Sequence, residues 1–369
     1  VSPQLEVQLI AAVVAAGCAI PGVFLVLRRM AMMSDAISHT VLLGIVLGFF
    51  LTGSLDSPLL MLGAVLTGVL TVSLVELLQR TGLVKEDSAI GLVFPALFSI
   101  AVILISRFAG NVHLDTHIVL AGELAFAPFE RFELFGIDWG ARALVTGAAI
   151  LLLNLVLVLV FYKELKLATF DAALAATLGF APALLHYGLM TVVSLTAVGA
   201  FDAVGSVLVI ALMIVPPATA YLLTDRLPRM LGFSMLIGIA SAQTGYWLAQ
   251  ALDGSIAGAM ATMTGVFFGL ALLFAPQRGL IAAALRHGRQ RWEFAQQMLT
   301  LHLLNHEGTP DATEENRAVT LAQHLRWQAD FAAQVVRRAE AAGLVRHDSG
   351  LLTLTDSGRQ HAQQAFVRG

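Results

Sequence analysis

The sequence predicts an all-α polytopic membrane protein of about nine transmembrane helices, or eight if one long run is left undivided, followed by a small α+β cytoplasmic domain. Three observations carry that expectation. The 369 residues are 57% hydrophobic and 13% charged, against about 25% charged in a soluble domain. Apolar runs long enough to cross about 30 Å of hydrocarbon recur as far as residue 274. The last 80 residues are far more polar and change to amphipathic and alternating patterns.

The runs lie at Leu5–Leu27, Met33–Leu51, Pro58–Leu78, Ala89–Ser106, Ala141–Tyr162, Pro182–Val198, Gly205–Leu223, Met230–Leu252 and Ser255–Phe274. The stretch from Gly188 to Leu223 is continuous and is divided here at Gly199–Ala203. Leu5–Leu27 has no basic start, so it reads as a span and not as a cleavable leader. With nine spans, the connections bearing Arg28/Arg29, Arg80/Lys85, Lys163/Lys166 and Arg226/Arg229 share one side, as does the arginine-rich exit after Pro276. Basic connections mark the cytoplasmic side. The expected orientation therefore has the N-terminus outside and the C-terminal domain in the cytoplasm.

Small residues crowd several spans, as in Gly63, Gly68, Gly238 and Gly258–Gly265, and let helices approach closely in lipid. Pro216-Pro217 should kink or break the seventh span, because proline removes a helical donor. Asn154, Asp202 and Gln243 are polar exceptions that either line a pathway or hydrogen-bond one helix to another. Cys18 is the only cysteine, which excludes an internal disulfide and a thiolate-built metal site. The only lysines are Lys85, Lys163 and Lys166, none in a phosphate-binding glycine loop. The chain is thus expected not to be an enzyme, and any ATP hydrolysis must come from a separate subunit.

Asp35 and His39 open the second span four residues apart, which puts them on one helix face with Ser38 beside them. Ionisable groups in an apolar span cost roughly 2.5–3.5 kcal/mol each on insertion scales. A carboxylate and an imidazole aimed at one point make half of a coordination sphere. Two copies about a two-fold axis would give two of each. Oxygen and imidazole donors suit Mn²⁺, Fe²⁺ and Zn²⁺ better than Cu(I). A hydrogen-bonded pair or a proton relay has the same spacing. In the long outer loop, His113, Asp115, His117 and Glu123 form a second cluster, either cation contacts or solvated loop residues. His302 and His306 are also four apart and read as a polar helix face.

Four stretches in order carry a family resemblance: Leu25–Leu47, containing Arg28-Arg29-Met-Ala-Met-Met-Ser-Asp-Ala-Ile-Ser-His39, then Glu86–Gly91, Phe170–Gly179 and Val204–Ala220. Together they resemble the permease subunits of ABC-type manganese, zinc and iron importers over about residues 5–275. The resemblance implies the large-type ABC importer fold, working as a dimer of identical or related permeases. It implies that Asp35 and His39 bind the metal in the translocation path. It also implies that the helix containing Phe170, Asp171, Leu174, Leu178 and Gly179 docks the ATPase. The partners implied are separate ABC ATPase subunits, an extracytoplasmic metal-binding protein and the lipid membrane. No cofactor is bound permanently; the cargo is a divalent metal, Mn²⁺ first, with Zn²⁺ or Fe²⁺ as alternatives. Pro216-Pro217 departs from the single proline followed by alanine that this family leads one to expect.

Three domains are expected: a permease at 1–276, a basic connector at 277–289 and a cytoplasmic domain at 290–369. In the last, Trp292–Asn305, Glu315–Leu325 and Ala329–Ala342 read as helices. An alternating pair of strands turns at Asp348-Ser-Gly350, and a closing helix starts at Asp356. That order resembles a winged helix-turn-helix. Residues 290–369 hold eight arginines, no lysine and nine acids. A DNA-binding domain is normally basic, so a docking or regulatory module is favoured over DNA. The readings from other classes are a membrane-tethered metal-sensing transcription regulator and a proton-coupled secondary transporter.

Overall fold

The computed structural model describes residues 2–54, 57–108, 124–134, 137–310, 312–348 and 350–368. It divides the chain into two units, Val1–Gly279 and Leu280–Gly369. In the first unit the helices are α1 (Pro3–Leu27), α2 (Ala31–Thr52), α3 (Pro58–Arg80) and α4 (Glu86–Phe108). A hairpin of β1 (Arg131–Leu134) and β2 (Ile137–Ala141) follows. Then come α5 (Arg142–Val160), α6 (Tyr162–Phe170), α7 (Ala172–Thr177), α8 (Pro182–Val204), α9 (Ser206–Leu223), α10 (Leu227–Leu252) and α11 (Ile256–Phe274).

Among the described residues, eight of these helices are long and apolar enough to cross a membrane: α1–α4, α5, α8, α9 and α11. The Met230–Leu252 span corresponds to α10, which has 26 residues but is less apolar, carrying Ser234, Ser241, Gln243 and Thr244. Its start lies four residues after the end of α9, and Gln243 Nε2 donates to Gln8 O in the second turn of α1 at 3.0 Å. α10 packs along α1, α9 and α11. Ser234 and Ser241 are buried and donate to carbonyls four residues earlier, so its polarity is satisfied within the helix.

α1 is the hub. It is apolar on every face, and 78% of its most apolar stretch is buried, against 22% for α5 and 17% for α11. A helix hydrophobic all round belongs inside a bundle, and α1 packs against α5, α8, α9 and α10. α2 packs against α3 and α4. The join between α1 and α2 is tight. Met30 N donates to Leu25 O at 2.9 Å and Arg29 N to Val26 O at 3.1 Å, the paired bonds of a Schellman cap. Arg29 sits at φ +63°, in the left-handed region usually filled by glycine.

Two expectations about the late spans change. The long run from Gly188 divides at Gly205, not at Gly199–Ala203. Residues through Val204 stay helical, and Gly205 breaks the ladder at φ 79°, ψ 159°, a conformation open to glycine alone. The double proline does not break α9, which is helical through Pro216 and Pro217. Pro217 cannot donate to Met213 O, and that carbonyl lies against α1 where Gly22 has no side chain. A Cβ at Gly22 would stand 1.8 Å from Met213 O. The helix is held by packing where its own hydrogen bond is missing.

At the opposite end of α1 from Arg28, Arg131 bridges Asp138 across the hairpin at 2.7 Å and Glu6 of α1 at 3.3 Å. The Arg131 hydrogen bond holds the Asp138 carboxyl below the usual carboxylate range.

The second unit comprises α12 (Leu280–His306), α13 (Ala312–Glu315), α14 (Ala318–His324), α15 (Ala329–Ala341), β3 (Val345–Asp348), β4 (Leu351–Leu354) and α16 (Asp356–Arg368). The connector expected at 277–289 is mostly helix, since α12 runs without interruption from Leu280. Leu299, Leu303, Leu321, Val335, Leu352 and Leu354 form its core, roughly 1.5–3 kcal/mol of burial for each large side chain. Arg338, one of two arginines on α15, is stacked 3.9 Å over the Trp292 ring.

Candidate metal site

Asp35 and His39 stand on the second and third turns of α2, with His39 Nε2 3.6 Å from Asp35 Oδ1. Their side chains are 38% and 34% exposed, so the pair lies on an open face of this chain. His39 leans on α4, its ring 5.5 Å from Phe94 and 6.0 Å from Phe98 between centroids. The aromatic contacts orient the imidazole and leave the carboxylate free to share an ion. One chain presents one oxygen and one nitrogen donor atom at this point.

Ser38 does not join them. It is buried and donates to Ser34 O at 2.7 Å, while Ser34 Oγ donates to Met213 Sδ of α9 at 3.1 Å. These two serines turn the inner face of α2 onto the bundle and leave the Asp35–His39 face outward. α2 is held against α3 by a backbone crossing: a Cβ at Gly44 would meet Gly63 O at 2.1 Å, and one at Gly63 would meet Gly44 O at 2.5 Å. Thr71 Oγ1 adds a hydrogen bond to Thr40 Oγ1 at 2.7 Å.

The other polar positions separate. Asn154 is buried between three helices, its Nδ2 donating to Gly17 O at 2.9 Å and to Thr196 Oγ1 at 3.0 Å. Gln243 binds the Gln8 carbonyl as described. Both make the inter-helix hydrogen bonds that the sequence offered as one alternative. Asn154→Ala should lower thermal stability in detergent by about 1 kcal/mol and leave the metal KM unchanged. A shifted KM with normal stability would return Asn154 to the pathway. Asp202 is exposed near the end of α8. His113, Asp115, His117 and Glu123 lie outside the described residues.

The stretch Phe170–Gly179 forms the end of α6, the short helix α7 and its exit. Asp171 caps α7, accepting from Leu174 N at 2.8 Å, and Gly179 turns the chain at φ +87°. Phe170, Leu174 and Leu178 are exposed by 62%, 45% and 61%, an apolar surface with no partner within the described chain.

A polar network that the sequence reading missed ties this region to the spans. Arg28 Nε donates to Thr169 Oγ1 of α6 at 3.2 Å, and Arg28 Nη1 donates to His186 Nδ1 of α8 at 3.2 Å. His186 Nε2 meets Glu76 Oε1 of α3 at 2.6 Å, and Tyr187 OH donates to Glu76 Oε2 at 2.7 Å. Arginine has only donors, so His186 accepts at Nδ1 and carries its proton toward Glu76. The residues are far apart in sequence. The available signal was two ionisable groups, Glu76 and His186, placed at the ends of apolar runs.

The ABC 3 transport family matches residues 4–275. The zinc transport system membrane protein TroD of Treponema pallidum is 51% identical over 360 residues, 97% of this chain and 98% of that protein. The manganese transport system membrane protein MntD of Bacillus subtilis is 53% identical over 273 residues, 74% of this chain and 92% of that protein. Among solved structures, PsaBC from Streptococcus pneumoniae in complex with Fab is similar with a TM-score of 0.61 and 28% identity, over 75% of this chain and 94% of that one.

Proposed function

Since the chain belongs to the ABC 3 transport family, we propose that it is the membrane-spanning permease subunit of an ATP-driven importer of divalent transition metals. The observation that carries this reading is the Asp35–His39 pair, an oxygen and a nitrogen donor 3.6 Å apart on an open face of α2. Paired with the same face of a second permease, identical or related, it would complete a four-ligand site suited to Mn²⁺ or Zn²⁺. The relatives' names support both metals: zinc for TroD, matched along almost the whole chain, and manganese for MntD. Iron is named for a third relative, the chelated iron transport protein YfeC of Yersinia pestis, at 30% identity over 75% of this chain and 88% of that protein.

With α10 counted, nine crossings put Arg28, Arg80, Lys163 and Arg226 on the cytoplasmic face of a bacterial inner membrane. The N-terminus is then outside and residues 280–369 are cytoplasmic, with a winged-helix-like order of elements. The apolar surface of Phe170, Leu174 and Leu178 receives the separate ATPase subunit, and an extracytoplasmic protein delivers the ion.

Co-expression with an ATPase subunit tests the reading. The complex should co-purify and hydrolyse ATP faster when the metal-loaded binding protein is present. Transport of metal by this chain alone would refute it. Leu174→Asp should abolish co-purification of the ATPase, because a carboxylate replaces the centre of the apolar surface. Undiminished co-purification would move the docking surface elsewhere.

A further inference from the structure

The strongest unassigned feature lies in the second unit. His302 of α12, Glu315 at the end of α13 and His324 at the end of α14 each offer one ligand atom, and these atoms all lie within 4.8 Å of one another. The sequence reading took His302 and His306 as a polar helix face. The fold instead brings His302 to two residues 13 and 22 positions later in the chain.

We propose that His302, Glu315 and His324 form a binding site for a borderline divalent transition-metal ion, separate from the Asp35–His39 pair. Ligand atoms of a tetrahedral Zn²⁺ ion, each about 2.0–2.2 Å from it, lie roughly 3.3–3.6 Å apart. Side-chain rotation would close the observed spread of up to 4.8 Å to that. His324 Nδ1 and Glu315 Oε2 are already in contact, and the His302 and His324 rings are 6.1 Å apart between centroids. His302 and Glu315 are half-buried, and His302 Nε2 stands 3.4 Å from Glu315 O. The His306 ring is 4.7 Å from that of His302, a nitrogen donor beside the three.

The donor set selects the ion. Two imidazoles and a carboxylate match the three-ligand zinc sites that keep an open position. Mg²⁺ and Ca²⁺ favour oxygen ligands. Cu(I) favours sulfur, and the only cysteine, Cys18, lies in the first unit. A Glu315–His324 ion pair alone would need no third group, yet His302 arrives from a different helix. An ion here would clamp α12 to α13 and α14, so its occupancy would stiffen this part of the unit.

The test uses the full chain in detergent with Asp35→Ala and His39→Ala already in place, so that the translocation reading and this site fail separately. Co²⁺ is the probe, read by its visible absorption and by calorimetry. One equivalent should bind. Adding His324→Gln or Glu315→Gln should weaken binding at least about tenfold without changing the thermal unfolding of the metal-free protein. Hydrogen exchange over residues 300–326 should slow with one equivalent of Zn²⁺. Absence of Co²⁺ binding in the starting variant, or binding unchanged by both added substitutions, overturns the proposal.

Discussion

Replacing Asp35 or His39 by alanine should reduce metal uptake by about 100-fold or more, since even a supporting residue around a metal costs 10–100-fold. The fold should survive. Both side chains are about one-third exposed, and Asp35 pairs with His39 of the same helix. Their shared helix is fixed by other residues: Gly44 against Gly63, Thr40 with Thr71, Ser34 with Met213. Uptake of radiolabelled manganese and zinc in cells carrying the partner subunits is the measurement, with the amount of membrane-inserted protein as its control. Normal uptake by both variants, at normal abundance, would remove the pair from the mechanism. Loss of the protein itself would instead show that the pair holds the bundle together.

The second large effect belongs to the crossing of α2 and α3. Gly44→Ala would place a methyl group 2.1 Å from Gly63 O, 2.4 Å from Gly63 C and 2.6 Å from Ala64 N. Every one of those atoms is backbone, so no side chain can rotate away. Overpacking commonly costs 1–3 kcal/mol, and a rigid backbone neighbour puts this case at about 3 kcal/mol or more. The expected result is a large fall in thermal stability in detergent, with uptake lost because α2 is displaced. Gly91→Ala is the control. A Cβ there meets nothing within 4 Å, and alanine favours the helix. Equal behaviour of the two variants would mean that the α2–α3 crossing is looser than described.

The sequence carried the spans because lipid imposes long apolar runs, and α1, α3 and α4 lie within a few residues of where hydropathy put them. The run at α10 is legible too, though its signal is weaker, because serines that satisfy themselves on the helix lower its hydropathy. Gly205 and the double proline show a different limit. Whether a glycine or proline breaks a helix depends on what packs beside it, here Gly22 against the free carbonyl of Met213. The Asp35–His39 pair was legible because four-residue spacing is a local property. The Arg28–His186–Glu76 network and the His302–Glu315–His324 cluster were not, since each joins separate elements by tertiary contact alone. Ser38 was misplaced for a related reason: neighbours in sequence lie about 100° apart on a helix, enough to turn it inward.

Arg28 touches Thr169 on the helix leading to the exposed Phe170–Leu178 surface, and it lies three residues before the start of α2. Through His186 and Glu76 it also reaches α3, which is fastened to α2 at Gly44. Events at the two ends therefore share one set of contacts, and equilibrium linkage applies to them. If the proposed docking at Leu174 changes the affinity of the Asp35–His39 pair for an ion by some factor, the ion must change the affinity of docking by the same factor. A pair of binding isotherms, each measured with and without the other ligand, gives that factor twice.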